Sequence, residues 1–590
     1  MLSSRLTLRT LRLYQHADLA SGILIFFMVV FSPWAFGTTQ PWSIWTMNLC
    51  GYLLGLLLAT KLYIRFRLGY RPSRWDGPSD LGRASQSAAR RSPSDPSSFE
   101  TPSPLWGEGG PRPEEVSAPP PDVRPSSFVV RPSSLPALTS ALAFLTVLIL
   151  AYCLISALNA RATYDWAQGS MIYRECIRWL PHSYDVPSTW RVFWNYLALA
   201  LFFWSLRDWL LGRTTSEARN SEPETRNSKP GTQNPELGGA SVPASRPSIL
   251  HPPSSEFPSL PSPFDLRPST FALPSRLRWL LWLLSLNGAL LAVEGIVQRL
   301  SGTNKLLWIM PTRLNKTAAA QFGPYAYRSN GAQYLNLIWP VSLGFWWTLR
   351  RQSRRQRSTE SGNRTTAWRH LLLPCILVMA AAPIISTSRA GAIVAIGMLL
   401  LAGAILLIAL RRRHPLTRFF AVLPCAAAVA LGAYVGGDQL MERMKEFGPN
   451  LELREGIYAS ARSMATDSPL FGLGPGTFEI LFQFYLPALG DDWLAQLHND
   501  WLETLITFGW VGSALIASAL LISSSRCFAA GGLASRWPFV AFIWLAFAGC
   551  LVQARWDFPF QIYSIVLLFL LLCGVLSTLS LRPAASTSWS

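Results

Sequence analysis

The stretch Leu497-His498-Asn499-Asp500-Trp501-Leu502-Glu503, running on to Phe508-Gly509-Trp510-Val511-Gly512, combines a histidine, a carboxamide and two carboxylates at the mouth of an apolar segment. Ionisable groups at a membrane boundary are costly and are usually kept for function. An imidazole titrates near neutrality and can take a proton from a hydroxyl at physiological pH. Asn499 is placed to cap the helix that follows. Glu503, about one turn further, can support it with a hydrogen bond. The alternative reading of His498 is a solvated interfacial residue.

The second candidate is Arg389, in Ile385-Ser386-Thr387-Ser388-Arg389-Ala390-Gly391, with almost no loop between two apolar runs. An arginine at that depth needs an anionic partner. That partner is either an acid of the same layer, such as Asp557 in Gln553-Ala554-Arg555-Trp556-Asp557, or a phosphate gripped by the guanidinium fork. Spacing leaves both open. The loop 301–330 adds Lys305, Arg313, Lys316, Tyr325, Tyr327, Arg328 and Asn330. Before any family likeness is considered, Arg313 and Arg328 read more simply as charges at the lipid headgroup level. Gly472-Leu473-Gly474-Pro475-Gly476 lacks the Lys-Ser/Thr of a phosphate loop and reads as a tight turn. Glu294, inside an apolar run, is expected to pair with Arg299. There is no HExxH, no GxSxG and no paired metal-ligand spacing, so neither metal nor cofactor is expected.

What must hold these residues is a membrane bundle. Half of the 590 residues are hydrophobic, 14% are charged and 25 are Trp, a profile that excludes an ordinary soluble enzyme. Apolar runs of about 20 residues, enough to cross a bilayer as helix, recur twelve times. They lie near 19–36, 43–64, 135–157, 191–211, 277–298, 331–349, 370–387, 390–410, 417–436, 499–523, 537–553 and 561–580. The fold expected is therefore an all-α polytopic bundle of about 12 transmembrane helices. The first run lacks a small-residue cleavage pattern and reads as a retained span. The eight cysteines fall mostly inside the runs without a CxxC pair, so no disulfide framework is signalled.

Charge orients the bundle. Arg350-Arg351-Gln352-Ser353-Arg354-Arg355-Gln356-Arg357 is the densest basic loop and belongs in the cytoplasm. Alternation then puts the N-terminus and Arg411-Arg412-Arg413 inside. It puts the long loop 437–498, with nine acids against four Lys and Arg, outside. The net charge of +19 thus reflects cytoplasmic loops rather than nucleic-acid binding. Of six histidines only His182 and His498 face out, and His182 has no acid at helical spacing.

The domain plan is a transmembrane pair in 1–64, a disordered low-complexity insert in 65–134 and a second pair in 135–211. A second such insert fills 212–275, followed by a core carrying the Arg motifs in 276–436. An extracytoplasmic loop domain in 437–498 and the C-terminal helices in 499–582 complete it. Both inserts are rich in Pro, Ser, Arg and Gly and cannot bury a core. They read as cytoplasmic linkers, with a docking tail as the lesser alternative.

Four pieces, in order, resemble the O-antigen ligase and polymerase superfamily of bacterial envelope glycosyltransferases. They are Gly323-Pro324-Tyr325-Ala326-Tyr327-Arg328-Ser329-Asn330-Gly331-Ala332-Gln333-Tyr334-Leu335; Ser388-Arg389-Ala390-Gly391; Asp467-Ser468-Pro469-Leu470-Phe471-Gly472-Leu473-Gly474-Pro475-Gly476-Thr477-Phe478; and His498-Asn499-Asp500-Trp501-Leu502 with Gly509 and Gly512. They span about 320–515. The chain departs from the family pattern at Asn330-Gly331-Ala332-Gln333, where Asn-Pro-Asn is common.

The resemblance implies metal-independent transfer of a glycan from undecaprenyl diphosphate to an acceptor on the outer face of the bacterial inner membrane. The acceptor would be a lipid A core sugar, a growing polysaccharide or a protein hydroxyl. It also implies His498 as the base, with Asn499, Asp500 and Glu503 in support. Arg389, with Arg328 and Arg313, would hold the diphosphate. The alternative of another class is a transporter of lipid-linked sugars. That calls for broken or ionisable mid-span helices and internal repeats, for which Glu294 is the one candidate.

Overall fold

A computed structural model describes residues 8–75, 134–214, 217, 273–312, 317–356, 368–411, 413–445, 447–486, 493–529 and 533–580. Arg313 and most of both expected inserts lie outside the described residues.

The architecture is that of an all-α polytopic membrane protein. Its helices are α1 (Leu8–Trp34), α2 (Pro41–Arg67), α3 (Ser134–Leu158), α4 (Val186–Leu211), α5 (Ser275–Ser301), α6 (Arg328–Gln356) and α7 (Leu372–Ile385). They continue as α8 (Arg389–Ala409), α9 (Pro415–Lys445), α10 (Phe447–Asp467), α11 (Phe478–Leu481), α12 (Asp500–Ala529), α13 (Leu533–Gln553) and α14 (Tyr563–Ser580). Each of the twelve expected runs coincides with one of these helices. Among the described residues eight are long and apolar enough to cross a bilayer: α1, α2, α3, α5, α8, α9, α12 and α14. The only strands described are two short antiparallel pairs, Ala162–Asp165 with Ser170–Tyr173 and Lys305–Leu306 with Met310–Pro311.

The axis of the bundle is α6. Every residue from Ser329 to Thr348 is buried. A helix apolar on one stripe only could not tolerate this, and α6 binds several of its polar residues to its neighbours. Ser342 meets Ser285 of α5 at 2.8 Å, Asn336 donates to the Gly391 carbonyl of α8 at 3.1 Å, and Gln333 donates to the Cys550 carbonyl of α13 at 3.3 Å. These bonds fix α6 beside the N-terminus of α8 and the C-terminal half of α13.

Two regions expected to be loop are ordered. The long segment 437–498 is largely helical, because α9 runs on to Lys445 and α10 follows almost at once. The starts of the two inserts pair with each other. Trp75 and Leu211 share a 2.9 Å backbone bond, Arg213 donates to the Ser73 carbonyl at 3.0 Å, and the Arg213 guanidinium stacks 4.5 Å over the Trp75 ring. Glu294 does not pair with Arg299. Arg299 reaches instead to Thr387 at 2.8 Å and Gln439 at 2.9 Å, while among the described residues the buried Glu294 carboxylate has no hydrogen-bond partner.

Candidate functional site

The site is assembled where α6, α8 and α12 begin and where the chain turns from α13 to α14. Each start has its own local cause. Ser388 caps α8 by accepting from the Gly391 N–H at 3.1 Å. Asn499 caps α12 by accepting from the Leu502 N–H at 3.3 Å. Such caps satisfy donors that have no partner inside the helix.

The α12 helix is broken at Gly509 (φ 60°, ψ −169°), a conformation open essentially only to glycine. The Gly-rich segment fills the break. Leu473 and Gly474 donate to the freed carbonyls of Ile506 and Thr507 at 2.8 and 3.0 Å. Trp510 and Val511 donate in return to Pro469 and Leu470 at 2.9 and 3.1 Å. Backbones approach so closely that a methyl group on Gly509 would lie 2.4 Å from the Gly472 nitrogen. The Gly-rich turn is thus a clamp on α12 rather than a ligand loop.

Just before that helix, His498 adopts φ 57°, in the left-handed region that bulky residues avoid. Its surroundings over-determine it. The Leu497 N–H donates to Glu503 at 3.1 Å, and the Tyr458 hydroxyl donates to the His498 carbonyl at 3.0 Å. The Asp500 N–H donates to the Ala554 carbonyl at 2.9 Å. The Asp500 carboxylate in turn accepts from the Phe560 N–H at 2.7 Å. Asp500 and Glu503 therefore act on backbone, fixing the strained turn and docking the 554–561 loop to it. Neither is recorded in contact with the imidazole. Strain held this way clusters at functional sites.

The imidazole itself meets Asp557. Its Nδ1 lies 3.5 Å from Asp557 Oδ1, and its ring packs edge-on against Phe558 and Tyr327, with centroids 4.8 and 5.7 Å away. Asp557 also accepts from the Ser329 hydroxyl and from the Phe558 N–H at 3.1 Å. Ser388 donates to Ser329 at 3.0 Å, and Gln553 donates to Ser329 at 3.2 Å. One buried network thus ties the Arg328, Arg389 and His498 segments to the α13–α14 turn. Burial, and then the Asp557 charge, push the Tyr327 phenol above its usual range, so it remains a neutral hydroxyl.

Beside this network is a cavity of about 380 Å³. Arg328, Arg389 and Arg454 line it together with Tyr327 and Asp557, and an apolar slot continues between Ile393 and Met398 of α8 and Gly549 and Val552 of α13. His498 is not a wall residue, but it touches two residues that are. Arg443 and Arg299 stand close enough to Arg328 to repel it, as does Arg389. Among the described residues Arg328, Arg299 and Arg454 donate to neutral oxygens. Arg328 and Arg299 share the Ala319 carbonyl, Arg454 donates to Trp556 at 2.8 Å, and Arg389 reaches the Arg443 carbonyl at 3.5 Å.

The sequence-derived residues His498, Arg389, Arg328, Asn499, Asp500 and Glu503 are therefore gathered at one place. Sequence reasoning offers Asp557 only as a partner for Arg389, and Arg454 only as one of the four Lys and Arg of the loop 437–498. The signal available for both was their position on the same side as His498.

Residues 374–517 match the family model described as O-Antigen ligase. That range contains Arg389, the Gly-rich clamp, His498 and the Gly509 break, and excludes Arg328 and Asp557. A search of curated proteins gives no match.

Proposed function

Taking residues 374–517 as an O-antigen ligase segment, we propose that the protein transfers a glycan from a polyprenyl diphosphate, undecaprenyl diphosphate in bacteria, to a hydroxyl of a lipid or polysaccharide acceptor. The reaction takes place on the outer face of the inner membrane. One observation carries the reading: a cavity with three arginines at its mouth and an apolar slot behind them, beside a histidine that faces a carboxylate.

The acceptor oxygen attacks the anomeric carbon. The bond from that carbon to the diphosphate oxygen breaks, and its electron pair leaves with the polyprenyl diphosphate. The acceptor proton passes to the imidazole of His498, and Asp557 on the other side orients the ring and balances the imidazolium. Negative charge grows on the diphosphate as the bond breaks. Arg389, Arg328 and Arg454 are fixed there in advance, and such preorganised charge stabilises the transition state. Arg313 joins them in this reading. The apolar slot takes the first units of the polyprenyl chain. No step calls for a metal.

The test is a transfer assay on purified protein in lipid, with an undecaprenyl-diphosphate glycan and candidate acceptors. His498→Ala and Arg389→Ala run in parallel. Release of undecaprenyl diphosphate by the wild type but not by the folded variants supports the reading, and the labelled product names the acceptor. Donor that crosses the bilayer unreleased would move the function to lipid-linked sugar transport.

A further inference from the structure

Tyr327 lines the cavity that holds the three arginines. Its ring is fixed on two sides. It stacks on Phe558, with centroids 5.4 Å and planes 12° apart, and meets the His498 ring edge-on at 5.7 Å. Packing of this kind asks only for an aromatic face, which phenylalanine would supply as well. The hydroxyl needs a reason of its own, because a hydroxyl taken out of water costs stability unless it is hydrogen-bonded.

Tyr325, two residues earlier, has such a bond, its hydroxyl meeting Ser564 at 3.2 Å. For the Tyr327 hydroxyl no hydrogen bond is recorded among the described residues. It does not hold the imidazole, since His498 Nδ1 turns to Asp557 at 3.5 Å and makes no hydrogen bond among the described residues. Nor does Asp557 depend on it, for that carboxylate already accepts from Ser329 and from the Phe558 N–H. What surrounds the hydroxyl is charge. Arg328, Arg389 and Arg454 on one side of the balance and Asp557 on the other all act on the phenol electrostatically. A neutral donor thus stands in a field of three cations and one anion. The oxygen best suited to it is an anionic one that the arginines themselves attract. Guanidinium groups neutralise such a ligand, and a phenol with an immobilised ring donates to it along one fixed direction.

We propose that Tyr327 is a further catalytic residue, whose hydroxyl donates a hydrogen bond to the diphosphate of the glycan donor and keeps it as that diphosphate departs. This role rests on the transfer reaction proposed for the site. No proton leaves the phenol. The acceptor proton goes to His498, the electron pair of the broken bond goes to the diphosphate, and Tyr327 lends a hydrogen bond only. That bond strengthens as charge accumulates on the leaving group, which is the condition for a contact to speed a reaction.

Tyr327→Phe keeps the ring stack and removes only the O–H. Two measurements on the full chain in lipid compare it with the wild type: single-turnover transfer, and equilibrium binding of undecaprenyl diphosphate alone. The variant should transfer about 10²-fold more slowly, as when one donor is lost from developing charge. It should bind undecaprenyl diphosphate about tenfold more weakly, the size of one lost hydrogen bond to a charged group. The pH profile of transfer, set by His498, should keep its shape. If the variant melts earlier, both proteins are compared at a temperature where both are folded. Unchanged rate and binding overturn the proposal, and weaker binding at an unchanged rate removes its catalytic part. A slower rate with unchanged binding also overturns it, and a displaced pH profile would then make Tyr327 a positioning residue for His498. Weaker binding by the variant of a protein that transfers nothing would leave the diphosphate contact standing and strike the transfer reaction instead. A wild type that does not bind undecaprenyl diphosphate overturns both.

Discussion

Two clusters of cations at opposite faces of the bundle are built from the same residue types and serve different ends. At one face Asp208 holds Lys61 at 2.9 Å, Arg65 at 2.6 Å and Arg74 at 2.7 Å, and Asp18 holds Arg276 at 2.5 Å and Lys61 at 3.3 Å. These pairs join α1, α2, α4 and α5. At the other face Arg299, Arg328 and Arg454 donate to neutral oxygens and border an open cavity. Among the described residues the nearby acids are engaged elsewhere, Asp557 with Ser329 and His498, Asp500 with Phe560, and Glu503 with Leu497. A carboxylate within reach turns an arginine into a strut. Without one, the arginine is a standing demand for an anionic ligand.

The sharpest way to test this contrast is at the face that carries His498 and Arg389. His498→Ala should lower kcat by about 10²–10⁴-fold, the contribution of a positioned base, with the melting temperature little changed. Arg389→Ala should lose roughly 10²–10³-fold, as when one preorganised donor is removed from developing charge. Arg389→Lys should recover only part of this, since an ammonium cannot grip two phosphate oxygens in one plane. Both readouts come from single-turnover transfer. An Arg389→Ala variant of full rate but lower thermal stability would make the arginines of this face struts as well, and the contrast would fall.

At the opposite face the signs reverse. Asp208→Asn leaves Lys61, which is fully buried, and two arginines without their shared anion. Breaking one side of a buried ion pair costs about 3–5 kcal/mol. Denaturation in detergent should show that loss, while transfer per folded molecule stays the same. A drop in transfer at unchanged stability would instead give this cluster a part in the reaction.

The difference between the faces was only half visible in the sequence. Arg389 and His498 stand out because each lies at the edge of an apolar run, and hydropathy locates twelve of the fourteen described helices. The break at Gly509 was not legible, since nothing local says that the Gly-rich turn would fill it. The role of Asp557 was hidden for a related reason. Its contact with Ser329 spans 228 residues, and only the packing of α13 against α6 brings the two together. Glu294 and Arg299 mark the opposite error, in which helical spacing suggested a pair. Arg299 is drawn instead to Thr387 and Gln439, leaving the carboxylate against Gly323.

The smallest expected effect probes how tightly the strained turn governs the site. Asn499 has no recorded contact with the cavity, yet its side chain caps the helix that starts immediately after His498. Asn499→Ala should cost about 0.5–2 kcal/mol of stability, the usual value of a cap. Asn499→Ser should restore it, because a serine oxygen can accept the same N–H. If His498 is held at φ 57° by its flanking bonds, the alanine variant should also lower kcat while leaving donor KM unchanged, and serine should rescue both properties together. Loss of stability with no change in kcat would mean that Glu503, Tyr458 and Asp500 suffice to hold the histidine. The cap would then belong to the folding of α12 alone, as the paired carboxylates of the opposite face belong to the folding of theirs.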